Sequence, residues 1–257
     1  MNRFIHPTRK LGKRAVRQDR RNLKLANYIK ALPPPPVSMG YINNVPSWPM
    51  FLNDQLGDCV IAGAFHLIDQ WTTYTTGQMA PLTDAQALAA YEAVGGYNPS
   101  DPSTDQGCDM VTALNYWRKT GFAGHKIAGY AQINTDNPTE IAQAIYLFGN
   151  VYLGLAMPLT AQNADSWFVS PGSLNGNGSP GSWGGHCAPI VGFSRATNNA
   201  GLTVVTWGQT MSMTWNFLNL YSDEMYAVIS TDWINQAGKS ASGFAYSALL
   251  ADLAEIT

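Results

Sequence analysis

One cysteine and one histidine have the surroundings that thiol chemistry requires. Cys59 follows the polar, glycine-containing turn 53–58 and begins the apolar segment 60–71, whose pattern is helical. The N-terminus of a helix carries partial positive charge, so a thiol there is expected to have a lowered pKa and a backbone N–H free for an oxyanion. His186 stands near the start of the apolar strand pattern 185–193. A thiolate nucleophile needs such an imidazole, and the imidazole needs an orienting partner.

Each of these residues also has a purely structural interpretation. Cys59 could be a small buried residue, as most cysteines are. His66 lies two helical turns beyond Cys59, too far for contact, and is expected in the core or an interface. His125 is expected to begin a strand, and Cys187 to point away from the cleft. No zinc-type ligand spacing occurs among Cys108, His125, His186 and Cys187, so we expect no metal and no cofactor.

Composition limits the class of protein. The 257 residues are 46% apolar and 12% charged, which indicates one large globular domain or two lobes. No apolar run reaches membrane-spanning length, and no secretory signal is recognised. Three cysteines cannot all pair, so at least one free thiol is expected. A reducing compartment, the cytoplasm, is the expected location.

The charges are divided unevenly along the chain. Residues 1–30 hold ten of the fifteen basic residues and a single acidic one, Asp19, whereas the remainder holds five basic and sixteen acidic residues. We therefore treat residues 1–36 as a basic N-terminal arm that ends in a polyproline spacer, 33–36. A helix is expected from Lys13 to Lys30. The arm could be a solvated tail, could bind nucleic acid or an acidic protein surface, or could fold over the acidic body of its own chain.

The local patterns predict helices first and strands later. Helices are expected over 59–74, 84–94, 109–119 and 139–148, the second opened by a capping box at Thr83 and Gln86. Asp105 is expected to cap the third, or alternatively to line the cleft. Strands are expected over 125–133, 150–157, 185–193, 202–207 and 224–230, and 213–221 could be either. The order predicts an α+β chain with a helical lobe at about 37–122, a β-rich lobe at about 123–257 and a cleft between them.

Four motifs in order resemble the papain-like cysteine peptidases. Gln-Leu-Gly-Asp-Cys59 before an apolar helix is similar to the nucleophile segment of that family. The helix, turn and strand over 140–155 resemble those that precede the histidine of the family. Gly-Gly-His186-Cys-Ala-Pro-Ile-Val-Gly-Phe is similar to its histidine strand, and Val205-Thr-Trp207-Gly to its Asn-Ser-Trp-Gly strand. The chain is identified as a divergent member over roughly residues 45–232, and a papain-like two-lobed α+β fold is implied.

The resemblance implies a role for each matching residue. Cys59 is the nucleophile, held as a thiolate by an imidazolium at His186, and Trp207 shields that contact from water. The oxyanion amide falls on Asn53, where the family has glutamine, although Gln55 could also supply it. The orienting asparagine falls on Val205, which has no hydrogen-bonding side chain, so Thr206, Gln209 or a backbone carbonyl is expected to replace it.

Three functions follow from these expectations. The first is a thiol hydrolase that cleaves peptide or isopeptide bonds of a protein substrate through Cys59 and His186. The second is an inactive papain-like scaffold, a structural or binding subunit of an assembly such as a phage particle, anchored by its basic arm. In the third, the arm is a self-inhibiting segment that lies over the cleft and is removed by cleavage near 33–36.

Overall fold

A computed structural model of the chain describes residues 8–27, 34–170, 172, 174–196 and 201–234. Within these ranges the α-helices are α1 Cys59–Thr76, α2 Asp84–Gly95, α3 Met110–Lys119, α4 Pro138–Phe148 and α5 Trp215–Tyr221. The strands are β1 Leu23–Lys24, β2 Ser38–Gly40, β3 Ile127–Gln132, β4 Tyr152–Met157, β5 Ser166–Trp167, β6 Gly184–Cys187, β7 Ile190–Ser194, β8 Gly201–Thr206, β9 Gln209–Met213 and β10 Ser222–Ser230.

Helix α1 is the central element. Most of its residues are apolar or small, and all of them from Cys59 to Thr73 are buried, including the polar His66, Asp69 and Gln70, as expected of a helix enclosed by a core. The indole of Trp71 donates to the carbonyl of Phe148 at 2.9 Å, and the helix ends at Gly77 in the left-handed conformation. Burial on all sides fixes the position of the first helical residue, Cys59.

The polar residues before α2 and α3 form caps. Thr83 and Gln86 form both bonds of the predicted capping box. The prediction that Asp105 caps α3 is wrong, because Asp109 accepts from the Thr112 amide. Asp105 instead accepts from the Gly57 amide at 2.9 Å and from the hydroxyl of Tyr91. It thereby ties the turn before Cys59 to α2.

Two five-stranded sheets carry the rest of the fold. The first has the order β1-β3-β10-β4-β6 and the second β2-β7-β8-β9-β5. In the first sheet β10 is antiparallel to both β3 and β4, and α1 contacts β6 and β8 of the two sheets. The α+β class predicted from the sequence is confirmed.

The prediction of a single strand over 185–193 is wrong in one respect. The structure has two strands there, β6 and β7, which belong to different sheets and are separated by Ala188 and Pro189. Proline has no N–H to donate within a sheet, and the carbonyl of Pro189 instead accepts from the Val205 amide at 2.9 Å. The chain therefore leaves one sheet and enters the other just after His186.

The helix predicted from Lys13 to Lys30 is wrong for the part of the arm that is described. Residues 8–27 contain the two-residue strand β1, parallel to β3, and a short 3₁₀ turn at Leu25–Asn27. The backbone pairs with the body of the protein instead of with itself. Residues 28–33, including the start of the predicted spacer, lie outside the described residues; beyond them, the carbonyls of Pro35 and Pro36 accept from Arg195.

None of the helices in the described residues is long and apolar enough to cross a membrane.

Candidate active site

Cys59 is the first residue of α1 and is buried against β6. Its exposed fraction is 1%. Burial raises the pKa of the Cys59 thiol to about 12, with the neighbouring Asp58 acting in the same direction. The expected lowering of this pKa is therefore wrong for this conformation, because loss of water outweighs the helix terminus. The thiol is neutral at pH 7.

His186 lies on β6 with its ring fully buried. Its Nε2 is 2.6 Å from Oγ1 of Thr206, whereas Nδ1 has no hydrogen-bond partner. Burial, together with the smaller effects of the charges of Arg9 and Lys13, lowers the pKa of His186 to about 3. The imidazole is therefore neutral at pH 7. With its proton on Nε2 and donated to Thr206, Nδ1 presents the lone pair of a base.

The indole of Trp207 covers the imidazole. The two rings are nearly parallel, with centroids 4.4 Å apart. Trp207 and Gly208 form the tight turn between β8 and β9, and both have positive φ, 45° and 73°. Such a turn matches the twist of a hairpin, but a bulky residue in this region is strained. This turn places the indole on His186, and the indole Nε1–H donates to the carbonyl of Lys10 at 3.0 Å.

The two candidate oxyanion amides lie in different environments. Asn53 is buried, and its Nδ2 donates to the carbonyl of Leu56 at 3.2 Å and to Oδ1 of Asp58 at 3.1 Å. Both hydrogens of that amide are used within the turn. Gln55, by contrast, has an exposed side chain. Burial raises the pKa of the Asp58 carboxyl well above its usual range.

Part of the arm, residues 10–14, crosses the site between α1 and β6, and we call it the crossing segment. On the β6 side, the N–H groups of Gly12 and Lys13 both donate to the carbonyl of Gly185, at 3.2 and 3.1 Å. Gly185 directly precedes His186. The crossing segment is therefore fastened to the strand that carries the candidate base.

The crossing segment is equally fastened on the helical side. The Cys108 amide donates to the carbonyl of Gly12, and the Arg14 amide donates to the carbonyl of Cys108, both at 3.0 Å. Together they form a parallel bridge. The Lys10 amide donates to the carbonyl of Asn53 at 3.2 Å. One extended stretch of backbone thus joins the turn before Cys59 to the loop before α3.

Glycine residues allow this close approach. A Cβ on Gly12 would lie 1.7 Å from the carbonyl oxygen of Gly57, and one on Gly107 would lie 1.8 Å from the carbonyl oxygen of Gly12. No larger residue fits at either position without displacing backbone. The backbone at Gly12 is therefore in direct contact with the backbone at Gly57 and at Gly107, and this packing excludes water from Cys59.

A cation of the arm completes the cover. The guanidinium of Arg9 lies 5.0 Å from the ring centroid of Trp207, on a ring that itself stacks on His186. The same side chain donates to the carbonyls of Gln162 and Ala164, both at 2.9 Å. This arrangement combines a cation–π contact with two charged hydrogen bonds. It fixes Arg9 on the indole that covers His186.

Sequence reasoning about the site did not identify Gly12, Lys13, Arg9 or Asp58. Three of these lie in the arm, where a run of basic residues gives no sign of which one is buried. Asp58 is part of the cysteine motif, but the motif does not indicate a role for it. Among the described residues, no group of three or more His, Cys, Asp and Glu side chains is arranged to hold a metal ion.

Comparison with solved structures decides the fold. A cysteine protease from Xylella fastidiosa, xylellain, is similar with a TM-score of 0.63 and 10% identity, over 87% of this chain and 98% of that one. Procathepsin B S9 from Trypanosoma congolense has a TM-score of 0.59 and 13% identity, over 86% of each chain. This chain has a divergent papain-like fold. Bromelain from Ananas comosus is also similar, with a TM-score of 0.53 and 14% identity, over 76% of this chain and 99% of that one.

The papain-like fold does not by itself assign chemistry. No protein-family model and no curated protein sequence matches the chain. Identity this low shows a shared fold alone. The catalytic roles of the residues therefore remain predictions, as do the division into lobes, the nucleic-acid or acidic protein partner, and the cytoplasmic or virion location. The residues concerned are Cys59, His186, Asn53, Gln55, Thr206 and Trp207.

Proposed function

We propose that this papain-like chain is a thiol hydrolase of peptide or isopeptide bonds, and that the conformation described is its self-inhibited form. The observation that carries the proposal is the path of the crossing segment. It packs against the turn that leads into Cys59 and is hydrogen-bonded to residues on both sides of it, where a peptide substrate would have to bind. Two similar structures are described as pro-forms, procathepsin B S9 and Amb a 11, a ragweed cysteine protease.

In the proposed reaction Cys59 and His186 act together on the carbonyl of the substrate. The proton of Cys59 passes to Nδ1 of His186 to form the ion pair, and the thiolate then attacks the carbonyl carbon, forming a tetrahedral oxyanion. His186 returns that proton to the leaving amine as the C–N bond breaks, leaving a thioester on Cys59. Water then attacks the thioester with His186 as base, releasing the carboxylic acid and the thiol. Thr206 holds the ring through Nε2.

The oxyanion needs two donors. The backbone N–H of Cys59 is the first, since it is at the start of α1. We assign the second to Asn53, which lies six residues before Cys59 and is buried in the same turn, whereas Gln55 is exposed. In the inhibited form the Asn53 amide is bonded to Leu56 and Asp58, so it must be redirected when the crossing segment leaves.

The crossing segment inhibits in two ways. It occupies the space above Cys59, and it removes the water that would stabilise a thiolate and an imidazolium. The positive charges of Arg9 and Lys13 further disfavour protonation of His186. Release of the segment is expected to readmit water and allow the ion pair to form.

The test uses a full-length chain with the recognition sequence of a site-specific protease placed within residues 28–33, cut after folding. We call this the nicked protein. It should react with a thiol-directed peptide electrophile at Cys59 and hydrolyse peptides, the uncut chain far less, and the Cys59→Ser variant not at all. Cys108→Ser, at another buried free cysteine, is the matched control and should keep both properties. Labelling that persists in Cys59→Ser would remove Cys59 from the mechanism.

An inactive scaffold is the second candidate, favoured by one observation. Val205, at the position of the family's orienting asparagine, is fully buried and has no hydrogen-bonding side chain, and its backbone N–H is bonded to the carbonyl of Pro189. If the nicked protein neither reacts at Cys59 nor cleaves any peptide, this candidate replaces the hydrolase. Assembly into a particle would then be tested by deleting residues 1–36.

A further inference from the structure

The side chain of Lys13 fills a closed pocket next to the candidate active site. Its exposed fraction is 1%, and its Nζ lies 2.9 Å from Oδ2 of Asp223 and 3.1 Å from Oε1 of Glu224. The third ammonium hydrogen is donated to the carbonyl of Arg14 at 3.2 Å. All three donors of the ammonium are therefore satisfied. The pocket matches a lysine head group.

The acidic end of the pocket is fixed by the body of the protein. Glu224 is fully buried, and its second oxygen accepts from the hydroxyl of Tyr226 at 2.8 Å. Asp223 is partly open, with 27% of its side chain exposed. Burial acts to lower the pKa of Lys13, but Glu224 and Asp223 outweigh it and the pKa is raised. The ammonium is fully charged at neutral pH.

The walls of the pocket are made by residues that leave room for a long side chain. A Cβ on Gly154 of β4 would lie 2.7 Å from Cγ of Glu224 and 2.9 Å from both Cδ of Lys13 and Sδ of Met110. A Cβ on Gly185 would lie 2.1 Å from the Lys13 carbonyl oxygen. Glycine at both positions keeps the pocket open beside His186. The space is thus shaped for an aliphatic stem that ends in a cation.

Lys13, which fills this pocket, belongs to the crossing segment, and that segment has to leave before a substrate can bind. When Lys13 departs, the buried carboxyl of Glu224 loses its cation, and an unpaired buried charge is strongly unfavourable. A neutral side chain would not restore the pairing. A substrate carrying an ammonium or guanidinium would restore it, because that group can replace the Lys13 Nζ between the same two carboxyl groups.

We propose that the Lys13 pocket is a substrate-specificity pocket that selects a lysine or arginine side chain close to the bond cleaved. The proposal rests on the thiol hydrolase function proposed above. The N–H groups of Gly12 and Lys13 both donate to the carbonyl of Gly185, directly before His186, so the selected side chain lies near the scissile bond. Glu224 and Asp223 are the specificity-determining residues, and Lys13 holds their place until substrate binds.

The first test measures hydrolysis by the nicked protein of a fluorogenic peptide set that varies Lys, Arg, Met, Gln and Glu at each position near the bond. Basic peptides should be cleaved with kcat/KM at least about tenfold above Met or Gln peptides, as expected from a charge-assisted contact. Glu224→Gln should remove most of this preference. The exposed control Asp136→Asn should keep it. Cleavage without basic preference would overturn the pocket proposal and leave the hydrolase function standing.

The second test needs no activity and uses the nicked Cys59→Ser protein. Labelled peptides with the sequence of residues 8–18 compete for the site, carrying Lys, Arg or Met at position 13. The Lys peptide should bind at least about tenfold more tightly than the Met peptide. Equal binding of the two would overturn the proposal whether or not the protein is an enzyme.

A double variant guards against misfolding of Glu224→Gln. Lys13→Met/Glu224→Gln replaces the buried pair with uncharged side chains of similar size, which cores often tolerate. After nicking, this protein should prefer the Met peptide over the Lys peptide in the competition. Retained preference for the Lys peptide would show that Glu224 does not select the cation and would overturn the proposal.

Discussion

Nε2 of His186 lies 2.6 Å from Oγ1 of Thr206, so a hydroxyl holds the imidazole on this side. Thr206 is the last residue of β8, and the strained turn at Trp207 follows it directly. The hydroxyl and the indole therefore reach the imidazole from two consecutive residues. Their separate effects can be measured because Thr206 acts on Nε2 and Trp207 on the ring face.

Thr206→Val tests the orienting bond. The nicked variant should lose roughly 10- to 1,000-fold in kcat, because the imidazole no longer has a fixed tautomer and orientation, with less effect on KM. Thr206→Ser keeps the hydroxyl and should restore most of kcat. The measurement is the steady-state rate of peptide hydrolysis as a function of pH. Unchanged kcat in the valine variant would mean that another group orients the ring.

Gly12→Ala tests the closeness of the crossing segment. The added Cβ would lie 1.7 Å from the carbonyl oxygen of Gly57, so the segment must lift away from α1. Alkylation of Cys59 in the uncut chain should become at least about tenfold faster, since a shift of roughly 1.4 kcal/mol in the opening equilibrium suffices. Gly40→Ala, whose Cβ would lie at ordinary contact distances, 3.4 Å from the Ile42 side chain and 3.6 Å from Cα of Gly192, is the control and should leave the rate unchanged.

Acid should open the crossing segment. The pKa of His186 is about 3 when covered and is expected near 6.5 in water. Between these values the open form binds the extra proton, so the closed form loses about 1.4 kcal/mol per pH unit as the pH falls. Hydrogen exchange of residues 10–14, corrected for intrinsic rates, should accelerate up to about tenfold per unit below pH 6. His186→Gln should flatten this dependence, and a flat wild-type profile would contradict it.

Asp69 should destabilise the fold as the pH rises. It is buried in α1 with no hydrogen-bond partner at either carboxyl oxygen, and burial raises its pKa to about 8. An unfolded aspartate titrates near 3.9, so the folded chain holds the extra proton between these values and loses stability with rising pH. Asp69→Asn should be more stable at pH 8 by on the order of 3 kcal/mol. Denaturant unfolding at pH 5 and 8 measures this, with Asp136→Asn as the control; a gap that does not narrow at pH 5 would contradict the assignment.

Local sequence signals predicted the elements that position the site. The helix that begins at Cys59 was found from its apolar run, and the second helix from Thr83 and Gln86, because caps and periodicity act within a few residues. The strand before Pro189 was placed correctly, but its change of sheet was not. That change depends on which backbone pairs with Pro189, a long-range relationship with no local pattern.

The position of the crossing segment over Cys59 and His186 could not be predicted from the sequence, for the same reason. The basic residues of the arm favoured a helix by composition, yet Lys13 is extended because Gly185 and Cys108 offer it backbone partners more than 90 positions away. Nothing local distinguishes Lys13 from its basic neighbours. Likewise the thiol of Cys59 was expected to be acidic from its helix terminus, whereas burial under that same arm has the opposite effect on its pKa.

The fluorescence of Trp207 should depend on whether the arm covers the candidate active site. Its indole is stacked on His186, faces the guanidinium of Arg9 and donates to the carbonyl of Lys10. Two of these three neighbours belong to the arm, so its departure changes the polarity and hydrogen bonding around a single indole. The fluorescence difference between the wild type and Trp207→Phe therefore reports opening in real time, without a substrate or an attached dye.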